Sequence, residues 1–184
     1  MNKSEIRQKI IQKRKVNNLK KKIKINFNSI LKCLKKKRIK GKNLGGYYPY
    51  NNEIDAMQIL EKFEKKDYSI SLPKIKKNFR MDFYNWSSRD PLILNKYGIP
   101  EPISNLISYP DILLVPLVAY DKYLNRIGYG GGFYDRYIKK LKKKKKILAI
   151  GLAYSFQKVK KIPVTKHDVQ LDFIITNTVK SKNQ

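Results

Sequence analysis

Apolar residues recur at spacings of three and four through the first forty positions. Ile23, Phe27, Ile30, Leu31 and Leu34 form one stripe, the pattern of an amphipathic helix. Lys3 and Arg7 are four apart near the start and so share a helix face. Gly41 and the pair Gly45 and Gly46 break this pattern. Beyond Tyr47, Tyr48, Pro49 and Tyr50, a second helix is predicted over Glu53 to Lys65, with Ile54, Met57, Leu60 and Phe63 inward. The period then shortens. Ser69 to Leu72 reads as a short strand stopped by Pro73, and Phe79 to Phe83 alternates as a strand with one buried face, closed by Trp86. Gly98 to Pro102 reads as a loop, because prolines on both sides of Glu101 prevent regular helix. Ile112 to Ala119 and Ile147 to Tyr154 are continuous apolar runs, as in buried strands, and Phe173 to Thr176 is a short last strand. Between the two runs lie a glycine-rich turn and a helix continuing through Arg136 to Leu141. Strands alternating with helices predict an α/β fold: a three-layer α/β/α sandwich with a mostly parallel, Rossmann-like central sheet. The 184 residues are expected to form a single domain.

Composition narrows the setting. Hydrophobic residues make up 41% of the chain, enough for a real core. No apolar run approaches the ~20 residues of a membrane span, and the N-terminus lacks the apolar block of a secretion signal. Cys33 is the only cysteine, so no internal disulfide can form. A cytoplasmic monomer is expected. The net charge of +28 raises the alternative of a basic RNA- or ribosome-associated protein. The excess is mostly lysine and spread along the chain, in Lys20 to Lys24, Lys35 to Lys37 and Lys142 to Lys146, and it travels with abundant Asn, Ile and Tyr. Biased codon usage gives the same composition. The charge therefore reads first as solvated faces and loop tips, and a nucleic-acid partner is not expected.

The chemistry concentrates at Arg126 to Arg136. Gly128, Gly130, Gly131 and Gly132 follow an apolar strand and open a helix, with Arg126 and Asp135 on either side. Glycines let the backbone approach an anion, and a helix N-terminus offers free N–H groups and partial positive charge. A Walker A loop needs Gly-Lys followed by Ser or Thr, but Phe133 follows Gly132. The dinucleotide fingerprint needs a glycine at Phe133, so it fails as well. Arg126 suits phosphate and Asp135 a divalent metal. The segment Ile162 to Asp168 is able to return to the same sheet edge, where Asp168 would join Asp135 around a magnesium ion. Spacing alone leaves Asp168 open between metal ligand and turn residue. His167 stands alone and reads as a surface turn residue. Another phosphoryl-transfer enzyme acting on a small metabolite remains a rival at this point.

Val115 to Asp121, followed by Arg126 to Arg136, closely resembles the signature of the 5-formyltetrahydrofolate cyclo-ligase (methenyltetrahydrofolate synthetase) family. The similarity extends in order along nearly the whole chain: Lys3 to Arg7, Asn52 to Asp55, Leu72-Pro73, Met81 to Phe83, Gly98 to Pro102, Gly151 to Tyr154 with Gln157, Ile162-Pro163, and His167-Asp168. The resemblance implies an ATP- and Mg²⁺-dependent ligase. It converts 5-formyltetrahydrofolate to 5,10-methenyltetrahydrofolate, releasing ADP and phosphate, through phosphorylation of the formyl oxygen and attack by N10. By the same resemblance, Lys3, Arg7, Arg126, Ile127, Gly128, Tyr129, Gly130, Gly131, Gly132, Phe133 and Tyr134 would bind ATP, with Arg126 and Asp135 catalytic. Asp135 and Asp168 would hold magnesium. Tyr48, Glu53, Tyr129 and Phe133 would contact the folate, Glu53 accepting from the donor edge of the pterin. Phe83 and Trp86 are further aromatic candidates for the pterin, with core packing as the alternative.

Four positions depart from the family pattern. Leu124 replaces a usual glycine before the Asn125-Arg126 step, Tyr120 a usual Phe, and Ser155 and Phe156 stand where acidic residues are frequent. None falls among the residues assigned to phosphate or metal.

Overall fold

The computed structural model describes residues 1–18 and 25–177. Ile23 of the expected helical stripe and the run Lys20 to Lys24 lie outside these residues. Helices α1 (Lys3–Asn18) and α2 (Phe27–Lys37) precede strand β1 (Asn43–Gly45), then α3 (Met57–Glu64). Next come β2 (Ser69–Ile75), β3 (Met81–Asn85), β4 (Leu92–Leu94), β5 (Pro100–Pro102) and β6 (Ile107–Ser108). The chain continues through β7 (Ile112–Pro116), β8 (Ala119–Tyr120), β9 (Arg126–Ile127), α4 (Phe133–Lys142), β10 (Leu148–Ala153), a 3₁₀ turn at Ser155–Gln157, and β11 (Phe173–Thr176).

The main sheet runs β11-β10-β7-β1-β2-β3-β6. The first five strands in that order are mutually parallel, and β3 pairs antiparallel to both of its neighbours. Alternation along β7 explains the layers. Ile112 and Leu114 join a cluster with Ile30 and Leu34 of α2 and Leu60 and Phe63 of α3. Leu113 and Val115 point the other way, to Tyr137, Ile138 and Leu141 of α4. The sheet is thus covered on both faces, the expected α/β/α arrangement. Helix α1 packs apart from these layers, with Ile6 and Ile10 against Val118, Ala119, Ile127 and Ile162. Among the described residues, no helix is long and apolar enough to cross a membrane.

Several boundaries differ from the sequence pattern. The glycine-flanked Asn43–Gly45 is a central strand; at three residues it is too short to show alternation. β2 continues through Pro73, which pairs with Phe83 of β3. Its pairing to β1 ends at Ser71, so beyond that point Pro73 meets no ladder on that side. β3 begins at Met81 rather than Phe79, because Asn78 and Phe79 both take left-handed φ values in the hairpin turn. Pro100–Pro102 forms a two-stranded ribbon with β4, and Glu101 between the prolines accepts hydrogen bonds from Ile75 N and Asn95 Nδ2. Helix α3 starts at Met57, leaving Glu53 in the preceding loop.

The apolar run Ile112 to Ala119 divides at Pro116. Leu117 and Val118 are buried but outside the main sheet, so their carbonyls need other partners. Gln157 Nε2 donates to Leu117 O at 2.9 Å and Val118 O at 2.7 Å. Arg14 Nη2 also donates to Leu117 O, at 2.7 Å. This exit lets β8 and β9 form a separate hairpin that carries Arg126 away from the sheet edge. Asp121 builds its turn, accepting from Tyr123 N, Asn125 N, Asn125 Nδ2 and Ile162 N. Burial works against the Asp121 charge, but these bonds outweigh it and hold the carboxyl below its ordinary range. Leu124 sits in this turn at φ 65°, a left-handed conformation in which a side chain is strained. A glycine, which the resemblance leads one to expect here, would take this conformation without strain.

Candidate active site

The glycine turn connects β9 to α4 and walls a cavity of about 200 Å³. Gly130 (φ 107°) and Gly132 (φ 62°) adopt left-handed backbone. A Cβ on Gly132 would lie 2.8 Å from Arg136 Nη1, which a flexible arginine can relieve, so it is the left-handed φ that favours glycine here. Gly132 is also the N-cap of α4, and no side chain caps the helix, leaving its first amides available beside the cavity.

Helix α1 brings basic residues to this turn. Arg7 Nε donates to Gly128 O at 2.8 Å. Lys3 Nζ lies 2.6 Å from both oxygens of Asp168. Asp168 Oδ2 accepts further from Thr165 N and Oγ1, and the carboxyl lies below its ordinary pKa because these bonds and Lys3 overcome its partial burial. Asp135 lies at the first turn of α4, with Oδ1 accepting from Val169 N at 3.2 Å and Oδ2 3.0 Å from Arg126 Nη2. Val169 is the neighbour of Asp168, so the two carboxylates line one cavity. His167 is an exposed turn residue.

Arg126 is 7% exposed. Its contact with Asp135 is an ion pair without hydrogen-bond angles; among the described residues, Nε and Nη2 have no hydrogen-bond partner, nor does the buried hydroxyl of Tyr134. The Arg126 guanidinium lies 5.8 Å from the Tyr134 ring centre. Burial, reinforced by Glu53, holds the Tyr134 phenol far above its usual range, so it stays a neutral donor. Buried donors without acceptors, beside a cavity edged by helix amides, suit an incoming anion.

Of the predicted ATP residues, all but Gly131 line this cavity. Gly131 instead directs its carbonyl to Arg136 Nη2. Glu53 and Tyr48 are not on its wall. Tyr48 is half-buried in the loop before Glu53. Glu53 is 8% exposed and accepts from Tyr50 N at 3.0 Å. Desolvation raises its pKa to about 7, against the opposing effects of the Tyr50 amide and Arg14. Tyr129 links Glu53's surroundings to the cavity: its hydroxyl accepts from Arg14 Nη1 at 2.8 Å and lies 3.4 Å from Tyr50 O. Its phenol is pushed up to about 12, by burial first and then by Glu53.

The sequence reading missed Arg14. It is 1% exposed and joins Asn51 O, Tyr129 OH and Leu117 O. It stands seven residues after Arg7, two helical turns on the same face, which was the available signal. Phe83 and Trp86 both lie in core positions. Phe83 is fully buried against Tyr137 on the α4 face, and Trp86 packs in the opposite core with Nε1 donating to Asp90 O.

With this geometry in place, relatives can be compared. The family model of the 5-formyltetrahydrofolate cyclo-ligase family matches residues 1–177. The chain belongs to that family. It is 33% identical over 138 residues to the 5-formyltetrahydrofolate cyclo-ligase of Haemophilus influenzae, covering 71% of this chain and 73% of that one. The 5-formyltetrahydrofolate cyclo-ligase of Mycoplasma genitalium is 34% identical, over 74% of this chain and 73% of that one. Among solved structures, the 5,10-methenyltetrahydrofolate synthetase of Mycoplasma pneumoniae superposes with a TM-score of 0.72 at 27% identity, covering 95% of this chain and 98% of its own. As a cyclo-ligase family member, the chain is an α/β enzyme.

Proposed function

We propose that this chain converts 5-formyltetrahydrofolate to 5,10-methenyltetrahydrofolate at the expense of ATP, with the nucleotide phosphates in the cavity between Arg126 and Asp135. The observation that carries the placement is the buried Arg126, whose Nε and Nη2 lack hydrogen-bond partners among the described residues, beside the uncapped start of α4. The formyl oxygen is a poor leaving group until phosphorylated. It attacks the terminal phosphorus of ATP and ADP leaves; N10 then closes on the formyl carbon, and phosphate departs with the former formyl oxygen. Phosphoryl transfer is mainly a matter of positioning and charge neutralisation. Lys3, Arg7, Arg126 and the turn amides hold the phosphates, while Tyr129 and Phe133 bound the side on which the acceptor oxygen arrives.

Two carboxylates and, among the described residues, no third acid fit a magnesium ion that arrives with phosphate oxygens and water rather than one held in a protein cage. Asp135 and Asp168 would hold it, and when bound it neutralises charge on the transferring phosphoryl group. Production of methenyl absorbance from 5-formyltetrahydrofolate and Mg-ATP, absent without ATP, is the expected result. A purified, folded protein that gives none would overturn the assignment.

Glu53 sets the pH response. Its ionised form accepts from the pterin donor edge, and its pKa lies at about 7 in the free protein. Below pH 7 the carboxyl must lose a proton before it can bind, so the KM for folate should rise roughly tenfold per pH unit and level off above 7. Glu53→Gln should remove this dependence and weaken folate more than ATP. Equal losses for both ligands would make Glu53 structural.

A further inference from the structure

The turn between β2 and β3 is built against residue preference. Asn78 (φ 56°) and Phe79 (φ 53°) are both left-handed, and Arg80 N closes on Lys77 O. Such two-residue turns favour glycine at the second position, yet here it is a phenylalanine, 61% exposed. Arg136 of α4 holds the tip, with Nε and Nη2 donating to Phe79 O at 3.1 and 2.7 Å and Nη2 also donating to Gly131 O. Its guanidinium lies 5.8 Å from the ring centres of both Phe79 and Phe133, and the rings are 6.0 Å apart. An exposed, conformationally costly aromatic is therefore fixed beside the glycine turn. Strain held in place at a site's edge suggests a functional role.

Beside this tip lies a second cavity, of about 240 Å³, whose wall includes Lys76, Arg80, Arg136 and Lys140. Asp82 is the only acid on it, and both Lys76 (3.3 Å) and Lys140 (2.8 Å) already share its charge. Four cations against one carboxylate leave the wall strongly positive. Phe133 belongs to both this cavity and the nucleotide cavity, so a ligand lying across it meets aromatic surface first and cations next.

We propose that Lys76, Arg80, Arg136 and Lys140 form the subsite for the glutamate carboxylates of the folate, with Phe133, on the wall of both cavities, and the adjoining Phe79 ring offering one aromatic surface to the ring that precedes them. This rests on the folate reading above and names the residues that recognise the far end of the substrate. Arginine forks suit carboxylates, and a flat ring suits the two phenylalanines.

The test compares 5-formyltetrahydrofolate with 5-formyltetrahydropteroate, which lacks the glutamate, in the wild type and in Arg80→Gln/Lys140→Gln. Both substituted residues are exposed. In the wild type, removing the glutamate should raise KM about tenfold with little change in kcat, as expected for two or more partly screened charge contacts. In the double variant this ratio should fall to within about twofold of unity. A double variant that keeps the wild-type ratio would place the tail elsewhere, as would a wild type indifferent to the glutamate. Failure of the wild type to convert either compound would remove the folate reading itself, and the subsite with it.

Discussion

Asp135→Asn is expected to lower ATP-dependent turnover by roughly a thousandfold, about 4 kcal/mol of transition-state stabilisation, while the protein stays folded. The asparagine keeps an oxygen for Val169 N, so the junction between α4 and the segment before β11 survives. What disappears is the negative charge 3.0 Å from Arg126. Arg126 then faces the phosphates without its counter-charge, and one of two carboxylates suited to magnesium is gone. Some stability is lost as well, because Arg126 is buried; the partial exposure of Asp135 limits that loss. Turnover and circular dichroism measured together separate the two effects. Near-normal turnover in a folded variant would remove Asp135 from the mechanism.

Arg14→Met should give the largest loss of stability, about 2–4 kcal/mol, read as a lower urea midpoint at unchanged slope. Methionine fills much of the space, but it offers nothing to Leu117 O, Asn51 O or the Tyr129 hydroxyl. The Leu117 carbonyl keeps Gln157 Nε2 as a donor, so the loss falls mainly on the Tyr129 hydroxyl and the Asn51 carbonyl, and on the packing around a fully buried side chain. A second readout distinguishes a local role from a general loss of packing. Arg14 favours the ionised form of Glu53, so its removal should move the pH dependence of folate KM above 7. An unchanged urea midpoint and pH profile would show that the buried cation supports neither the backbone nor Glu53.

The sequence exposes what depends on local period or on a compact motif. Lys3 and Arg7 are readable because a helix brings residues four apart onto one face, and the turn from Gly128 to Gly132 is readable because it is contiguous. The two-sided burial of β7 follows from an unbroken apolar run, although Pro116 ends it sooner than the run suggests. Asp168 is different: its meeting with Asp135 depends on how the segment after β10 returns, so spacing leaves it open between ligand and turn residue and only family resemblance favours the ligand. Arg14 lay in plain view on the face of Lys3 and Arg7, but in a lysine-rich helix it passes for one more solvated charge. Its burial is decided by Leu117 and Tyr129, more than a hundred residues away. Trp86 shows the converse, since an aromatic beside a strand says nothing about which side of the sheet it faces.

The contacts of Lys3 with Asp168 and of Arg126 with Asp135 bear on selectivity in a chain of such high positive charge. In the resting pocket Lys3 and Arg126 are each matched by an aspartate, while Arg7 meets only the Gly128 carbonyl. A bare anion would have to compete with aspartates for their cations, and a bare metal ion with cations for their aspartates. Either would leave a charged side chain stranded in a poorly solvated place. A visitor that carries both signs together can relieve all four residues at once, so under the proposed function a metal–nucleotide complex should bind more tightly than either component alone.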